Sequence, residues 1–482
     1  MNIVKHFSPK LSVVLLATVL TGCSLNPKYE RPGLPVPDQF PGQDSSSSQS
    51  DGLQHTADLG WETFFKDERL KALIPIALEN NRDMRIAVQR VEEARALYGI
   101  QRSDQFPQIG VNAQQTAQRM PEDMRAGGAL APSVSRSNVA GIGMTNFELD
   151  FFGRQRSLSE AAFEQYLATQ QARTTVQINL IGQLASTYFT VRNLEAQKEL
   201  VNKTIKSRQG TYDLVQSRYK GGVATILDVN QAKTTLEGAK AILAEITRAE
   251  MRARNALQLI LGQPIPDNLP PAPPFTGDVV MAKLPTGLPS DLLTRRPDIL
   301  AAENRLKAAN ANIGAARAAF FPSISLTGLL GIASPDLGSL FDGGNGMWSF
   351  NPVINIPIFT AGKLSNNLNL AEIRNDIAVA EYEKSIQTAF REVLDALAGE
   401  STYQSQLDAL RAQQASAYET LKIANLRYSN GIDSFLQVQS AEVALFAVQQ
   451  SFLQTGFDSI QNRIELYKAL GGGWTQTSII SK

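Results

Sequence analysis

Residues 83–107 read DMRIAVQRVEEARALYGIQRSDQFP, and residues 298–322 read DILAAENRLKAANANIGAARAAFFP. Aligned without a gap at an offset of 215 and extended to Ile109 and Ile324, these stretches share 10 identities in 27 positions. A second alignment, at an offset of 209, relates Arg218-Tyr219 to Arg427-Tyr428. Because the matches occur in the same order in both halves, we infer an internal duplication, and one structural layout is predicted for both repeats.

Each repeat is predicted to contain a helix, two strands, a very long helix, a glycine turn and a returning helix. Apolar and polar residues alternate after both Phe-Pro pairs, which is typical of strands with one apolar face. The apolar parity shifts between Met144 and Phe147, which indicates a bulge. No proline occurs in residues 154–219 or 363–427, so each segment can form one helix of about 100 Å.

The predicted boundaries follow from these patterns. In the first repeat, residues 59–262, we expect strands at about 106–118 and 139–151, the long helix at 154–219 and the returning helix at 225–261. A Pro-rich linker occupies residues 263–283. In the second repeat, residues 284–471, we expect a helix at 290–319, strands at about 323–332 and 348–359, the long helix at 363–427 and the returning helix at 434–470, before a tail at 472–482.

The four predicted strands are long enough to cross a membrane when tilted. Four strands cannot close a barrel, however, and an open sheet edge is not tolerated in lipid. Either the sheet is soluble, or several chains combine their strands. Three chains would supply twelve strands, an even number within the usual range of membrane barrels.

The N-terminus has the organisation of a bacterial lipoprotein signal peptide at residues 1–22. Lys5 and Lys10 precede an apolar stretch of ten residues, 11–20, which is too short to span a membrane as a helix. The sequence LTGC at residues 20–23 resembles a lipobox, so Cys23 is expected to become the lipidated first residue of the mature chain. Residues 23–58 are rich in proline and then serine, which predicts an extended tether.

The composition excludes several functional classes. Lysine and arginine total 46, as do aspartate and glutamate, so no net charge favours nucleic acid. Of the two histidines, His6 lies in the predicted signal peptide, which leaves His55 as the one histidine of the mature chain. One histidine and one cysteine cannot form a Cys/His zinc site or a structural disulfide. Neither a P-loop nor a dinucleotide fingerprint is present. We predict a protein that is not an enzyme and has no cofactor or metal, only a covalent lipid on Cys23.

Several motifs resemble those of one known family. They are TRRPDI at residues 294–299, ARAAFFP at residues 316–322, DFFG at residues 150–153, and the Arg-Tyr pairs that precede Gly222 and Gly431. Together with the lipobox, they resemble the TolC/OprM-type outer membrane factors, the NodT-type outer membrane efflux lipoproteins. The resemblance covers the chain from about residue 59 onward.

The resemblance implies an α+β membrane protein that forms a homotrimer. Its twelve-stranded outer-membrane β-barrel, four strands per chain, would be continuous with a long periplasmic α-helical barrel. The implied partners are a periplasmic adaptor (membrane fusion) protein, an inner-membrane resistance-nodulation-division transporter and outer membrane lipid. The implied function is a passive exit duct for drugs.

Two alternatives remain open at this stage. The first is an outer membrane channel for type I protein secretion, against which the lipobox and residues 295–298 argue by resemblance only. The second is a structural periplasmic coiled-coil lipoprotein with a soluble sheet.

The resemblance also implies a gate where the long helices turn. An adaptor would contact the exposed tips, which comprise Arg218, Tyr219, Gly221, Gly222, Arg427, Asn430 and Gly431. The gate residues would be Asp228, Tyr428, Asp433, Leu436 and Ser440.

The five implied gate residues have different expected roles. Three copies of Leu436 would make an apolar ring that resists wetting, and Asp228 would form a hydrogen bond with Tyr428 in the closed state. Asp433 would supply a further charged contact. Relatives often carry an acidic residue at the position of Ser440, so Leu436 is weighted above a carboxylate ring.

Overall fold

The computed structural model describes residues 25–37, 40, 56–125, 130, 132–275, 279–281, 284 and 289–474. The predicted signal peptide, the lipidation site Cys23, His55 and most of the tail therefore lie outside the described residues. The chain divides into two compact units. The first comprises the N-terminal residues up to Pro32, Val91–Thr169 and Ala302–Tyr382, and the second comprises Gly33–Arg90, Gln170–Ala301 and Glu383–Lys482.

The described residues form nine α-helices and four strands. The first half contains α1 (Trp61–Phe64), α2 (Glu68–Asn80), α3 (Arg82–Ser103), β1 (Ile109–Arg119), β2 (Val134–Leu149), α4 (Arg154–Lys220) and α5 (Ile226–Leu261). The second half contains α6 (Pro289–Arg295), α7 (Pro297–Ala318), β3 (Ser323–Ser334), β4 (Gly346–Asn355), α8 (Lys363–Ser429) and α9 (Phe435–Ala469).

The strands form one antiparallel sheet in the order β1-β2-β3-β4. The register of β2 against β3 shifts between Met144 and Phe147, which confirms the bulge predicted from the parity change. Asn146, inside the bulge, has a φ of 52°. Strands β1 and β4 are the two edges, and most of their side chains are exposed.

Proline positions correct several predicted boundaries. The helix expected at 290–319 is two helices, because Pro297 lacks an N–H and starts α7 as its first residue. Strand β1 begins at Ile109, after Pro107, and β4 ends at Asn355, before Pro357, rather than at residue 359. Strand β2 begins five residues earlier than expected, at Val134, because it pairs with β1 as far as Arg119.

The second unit has an aromatic core that joins its N-terminal helices to the long helices. Phe64 stacks on Tyr467 with ring centroids 4.0 Å apart, and the Tyr467 hydroxyl donates to the carbonyl oxygen of Leu59 at 2.5 Å. Buried Asp67 caps α2 and accepts a 2.8 Å hydrogen bond from the Tyr188 hydroxyl on α4. The capping carboxylate is therefore satisfied within the core.

Among the described residues, no helix combines the length and the apolar character that crossing a bilayer requires.

Helix α5 ends at Gly262, whose φ is +70°. A Cβ there would lie 2.3 Å from the carbonyl oxygen of Asn80, whereas a Cβ at Gly238, inside α5, meets nothing within 4 Å. We expect Gly262→Ala to destabilise the protein by at least about 1–2 kcal/mol, and Gly238→Ala to stabilise it by up to about 1 kcal/mol. Thermal loss of helical circular dichroism in detergent measures both, and equal effects would contradict this account.

Candidate functional site at the hairpin tips

The two long helices end in turns of the same geometry. Gly222 and Gly431 have φ values of +74° and +72°, a conformation that favours glycine. In the first turn, the Val223 N–H donates to the Arg218 carbonyl at 2.9 Å, and in the second, the Ile432 N–H donates to the Arg427 carbonyl at 2.9 Å. Both turns are therefore glycine caps of the kind that end helices and reverse the chain.

The hydrogen bond expected between Asp228 and Tyr428 is absent from the described structure. Asp228 Oδ2 accepts from the Thr225 backbone N–H at 2.9 Å and from the Thr225 hydroxyl at 2.8 Å. The Asp228 N–H donates in return to the Thr225 hydroxyl at 3.2 Å. The reciprocal backbone contacts form a capping box that satisfies the N-terminus of α5 and keeps the carboxylate on its own turn. The Tyr428 hydroxyl is buried and has no hydrogen-bond partner. Burial raises the pKa of Tyr428; the Arg218 guanidinium opposes this rise and the Asp228 carboxylate adds to it.

Arg218 joins the two hairpins instead. Its Cζ lies 4.6 Å from the centroid of the Tyr428 ring, and its Nη1 donates to the Tyr428 carbonyl at 3.4 Å. The ring also packs against Phe435, at 5.5 Å between centroids. Arg218 is therefore half-buried between hairpins rather than an exposed tip residue as expected. The other six predicted tip residues, Tyr219, Gly221, Gly222, Arg427, Asn430 and Gly431, are exposed.

The remaining predicted gate residues lie on or before the first turns of α9. Leu436 is 53% exposed, and Ser440, one turn later, is also exposed. Val443 continues this face, which carries no charge. Asp433 accepts a hydrogen bond from Arg427 Nε and so closes the second turn on itself. The structure therefore keeps Leu436 and Ser440 on one accessible face and engages Asp433 within its own hairpin.

The structure contains a buried polar contact between the hairpins that the sequence did not lead us to predict. The Thr211 hydroxyl donates to Glu442 Oε1 at 3.0 Å, and both Glu442 and Arg208 are less than 9% exposed. Arg208 Cζ lies 5.3 Å from the Phe446 ring centroid, and Arg208 Nη1 donates to the Thr235 carbonyl at 2.8 Å. Burial raises the pKa of the Glu442 carboxyl. The sequence signal that could have revealed this contact is a glutamate, Glu442, among the apolar positions of α9.

This chain was also compared with known proteins. The profile of the family described as outer membrane efflux protein matches residues 73–263 and 288–472. The chain belongs to the outer membrane efflux protein family.

Individual relatives in this family match over nearly the whole chain. The probable efflux pump outer membrane protein TtgC of Pseudomonas putida is 44% identical over 465 residues, covering 96% of this chain and 95% of TtgC. A membrane protein structure from Pseudomonas aeruginosa aligns with a TM-score of 0.87 at 40% identity, covering 94% of this chain and 98% of that one. The open state of the Neisseria gonorrhoeae MtrE outer membrane channel aligns with a TM-score of 0.85 at 38% identity, covering 95% and 100%. This member of the family is an outer membrane protein.

The contact between Arg218 and Tyr428 predicts energetic coupling between these residues. In a double-mutant cycle of Arg218→Met and Tyr428→Leu, we expect a coupling of about 0.5–2 kcal/mol, the range of cation–π contacts. Asp228→Ala should cost about 0.3–1.5 kcal/mol, because it removes the N3 half of the capping box, and its effect should be additive with that of Tyr428→Phe. Denaturant unfolding followed by circular dichroism measures each term. Coupling of Asp228 to the Tyr428 hydroxyl, with none between Arg218 and Tyr428, would refute the assignment.

Buried Glu442 predicts a pH-dependent stability difference. Because the folded-state pKa is raised, protonation of this carboxyl stabilises the fold fully below the unfolded pKa, and that stability is lost as pH rises through the folded pKa. We expect Glu442→Gln to raise the unfolding temperature at pH 7.5 and to have a smaller effect at pH 5. Glu419→Gln, at an exposed position on α8, is the control and should have little effect at either pH. A gain independent of pH would contradict this interpretation.

Proposed function

We propose that the chain is one protomer of a homotrimeric exit duct in a tripartite resistance-nodulation-division multidrug efflux pump. Drugs would pass from a periplasmic adaptor and an inner-membrane transporter through the duct to the exterior. The chain supplies no energy and has no catalytic role in this proposal. The observation that carries the proposal is the incomplete sheet, considered together with membership of an outer membrane family.

Both edges of the sheet need partners. The edge strands β1 and β4 carry large apolar side chains that are exposed in the single chain, including Val111 at 81% and Trp348 at 76%. Unpaired backbone N–H and C=O groups along such edges cost several kcal/mol each in lipid. Pairing β1 of one protomer with β4 of the next would satisfy the backbone N–H and C=O groups along both edges. Three protomers would then close a twelve-stranded barrel.

The segment that follows the predicted lipidation site is held against the first unit. Asn26 donates to Glu160 at 2.7 Å, and the Ser157 hydroxyl donates to Asn26 Oδ1 at 2.6 Å. Arg31 makes a two-bond contact with Glu303, at 3.0 and 2.9 Å. These contacts would hold the chain close to the unit that contains the sheet a few residues after a lipid on Cys23.

The closed state would depend on the uncharged face of α9. Three copies of Leu436 around a pore axis would form an apolar constriction that excludes water and hydrated ions. Ser440, one helical turn after Leu436, is uncharged, so it would add no charge next to the constriction. Opening would require the second hairpin to move away from the axis, while the contact of Arg218 with Tyr428 links its position to that of the first hairpin.

Single-channel conductance in a planar bilayer tests the proposed function. The detergent-purified wild type is expected to show a small, mostly closed conductance, and Leu436→Ser a larger and more frequently open one, because a polar ring no longer resists wetting. Leu214→Ser, an exposed leucine on α4, is the matched control and should resemble the wild type. No conductance from any variant, together with a monomer in detergent, would overturn the duct and favour a structural spacer.

A further inference from the structure

The returning helix of each hairpin ends against the start of a shorter helix, and the two joints occupy equivalent positions in the repeat. Helix α5 meets α3 at the first joint, residues 80–82 and 260–262, and α9 meets α7 at the second joint, residues 295–297 and 469–471. The glycine that follows each returning helix has a positive φ, +70° in the first joint and +82° in the second. The two joints therefore share one backbone plan, while their side chains differ.

One neutral side chain completes the first joint. Asn81 is buried, and its Nδ2 donates to the Ile260 carbonyl at 2.9 Å, which satisfies the end of α5. Its Oδ1 accepts from the Met84 N–H at 3.0 Å, which satisfies the start of α3. Because an amide carries both donors and an acceptor, this single residue serves both helix ends.

The second joint has Arg296 at the position of Asn81. Arg296 is also buried, and its Nη1 donates to the Ala469 carbonyl at 2.9 Å, as the amide does to α5 in the first joint. A guanidinium has no acceptor, so the start of α7 needs another group. Asp298 Oδ1 accepts from the Ile299 N–H at 3.0 Å, and Arg296 donates twice to the same carboxylate, at 3.0 and 2.6 Å. Two charged side chains therefore replace one neutral side chain.

The Arg296 guanidinium also reaches a third helix. Its Nη1 donates to Glu392 Oε2 on α8 at 2.8 Å, so one buried cation joins α7, α8 and α9. The residue on α4 equivalent to Glu392 is Gln183, which is neutral and exposed. Burial opposes the charge on Arg296, but the Asp298 and Glu392 carboxylates outweigh that effect and raise the pKa of the guanidinium. Moving α8 away from the second joint would take one of these two carboxylates from a buried cation, which is unfavourable.

Helix α8 approaches α9 closely one to two turns beyond this ion pair. Asn462 Nδ2 on α9 donates to the Ala396 carbonyl at 2.8 Å, and a side chain at Gly399 would collide with Asn462. A cavity of about 520 Å³ lies beside this contact, and residues of α4, α8 and α9 line it, including Glu392. The close approach at Gly399 is therefore flanked by space on one side and by the Arg296 ion pair on the other.

We propose that Arg296 is a positioning residue that holds the second hairpin, α8 with α9, in its closed arrangement through Glu392. This inference rests on the proposed function and identifies what fixes the hairpin that moves. The contact at Gly399 is the pivot of α8. Glu392 lies about 10 Å from the pivot along the helix, and the end of α8 lies about 45 Å away on the other side, so a displacement at Glu392 is multiplied about fourfold at the tip.

The contacts at the tips indicate which arrangement the ion pair holds. In this structure the two hairpins meet through Arg218 with Tyr428 and through Thr211 with Glu442. In the proposed function, opening moves the second hairpin away from these contacts. The cation of the second joint therefore belongs to the hairpin that has to move, whereas the first joint has a neutral asparagine at the equivalent position.

Single-channel recordings of the full-length trimer test the role of the ion pair. Glu392→Gln keeps the shape of the side chain and removes its charge. We expect this variant to raise the open probability about twofold to fivefold, the range that corresponds to a partly exposed ion pair. Asp408→Asn is the matched control on the same helix, because Asp408 pairs with Arg411 within α8, and it should behave as the wild type does.

Arg296→Asn introduces the side chain that the first joint carries. The amide can still cap α9, so the variant should assemble into trimers, but it should open at least as often as Glu392→Gln. Adding Glu392→Gln to Arg296→Asn should cause no further rise, because the carboxylate acts through the guanidinium. Additive increases from the two substitutions would overturn the assignment.

Asn81→Ala separates positioning from general damage to a joint. This substitution removes the cap of the first joint, so it should lower the temperature at which the detergent-purified trimer dissociates while leaving the open probability unchanged. Glu392→Gln should show the reverse pattern, with a smaller change in dissociation temperature and a higher open probability. Equal rises in open probability from both variants would mean nonspecific loosening and would overturn the positioning role.

Leu436→Ser distinguishes the failure of this inference from the failure of the proposed function. A trimeric wild type that Leu436→Ser opens, but that Glu392→Gln leaves unchanged, overturns the positioning role of Arg296 and leaves the duct intact. A monomeric protein that conducts no ions in any variant overturns both.

Discussion

Every backbone N–H and C=O group that enters lipid must find a hydrogen-bond partner, and one chain of this protein cannot satisfy that condition alone. Its sheet has two edges, and lipid offers no donors or acceptors to either. The incomplete sheet therefore requires other copies, and the same copies must also accommodate the long helices that follow β2 and β4. The exposed apolar residues on the edge strands β1 and β4 are a consequence of this requirement.

The duplication gives both hairpins the same layout and the same turn geometry. The two returning helices nevertheless begin differently. Helix α5 starts with a capping box of Thr225 and Asp228, whereas the N-cap residue of α9, Ser434, makes no side-chain capping hydrogen bond. A missing cap weakens a helix start by about 1 kcal/mol. The second hairpin, which presents Leu436, thus has the less firmly held helix start, which suits the hairpin proposed to move.

The polar contacts between the hairpins hold the hairpins together, but they bury polar groups away from water. Stacking of Arg218 on Tyr428 keeps a cation close to an aromatic face while the tyrosine hydroxyl stays without a partner. Burial of Glu442 beside Thr211 and Arg208 similarly places charge where water is scarce. Such groups destabilise an assembly when their partners separate. They therefore penalise arrangements in which the two hairpins separate.

Local patterns in the chain were enough to predict the repeat, the order of elements, the bulge between Met144 and Phe147 and the glycine turns, because periodicity and glycine positions are local properties. Resemblance also pointed to Leu436, and the structure leaves that residue accessible. That Asp228 caps its own helix and that Arg218 contacts Tyr428 followed from the packed helices alone. Which donor a carboxylate binds depends on the distances to the donors around it. No local sequence pattern gives the distance between residues about 200 positions apart. The same reason explains why the burial of Glu442 between the hairpins became visible only once the helices were packed.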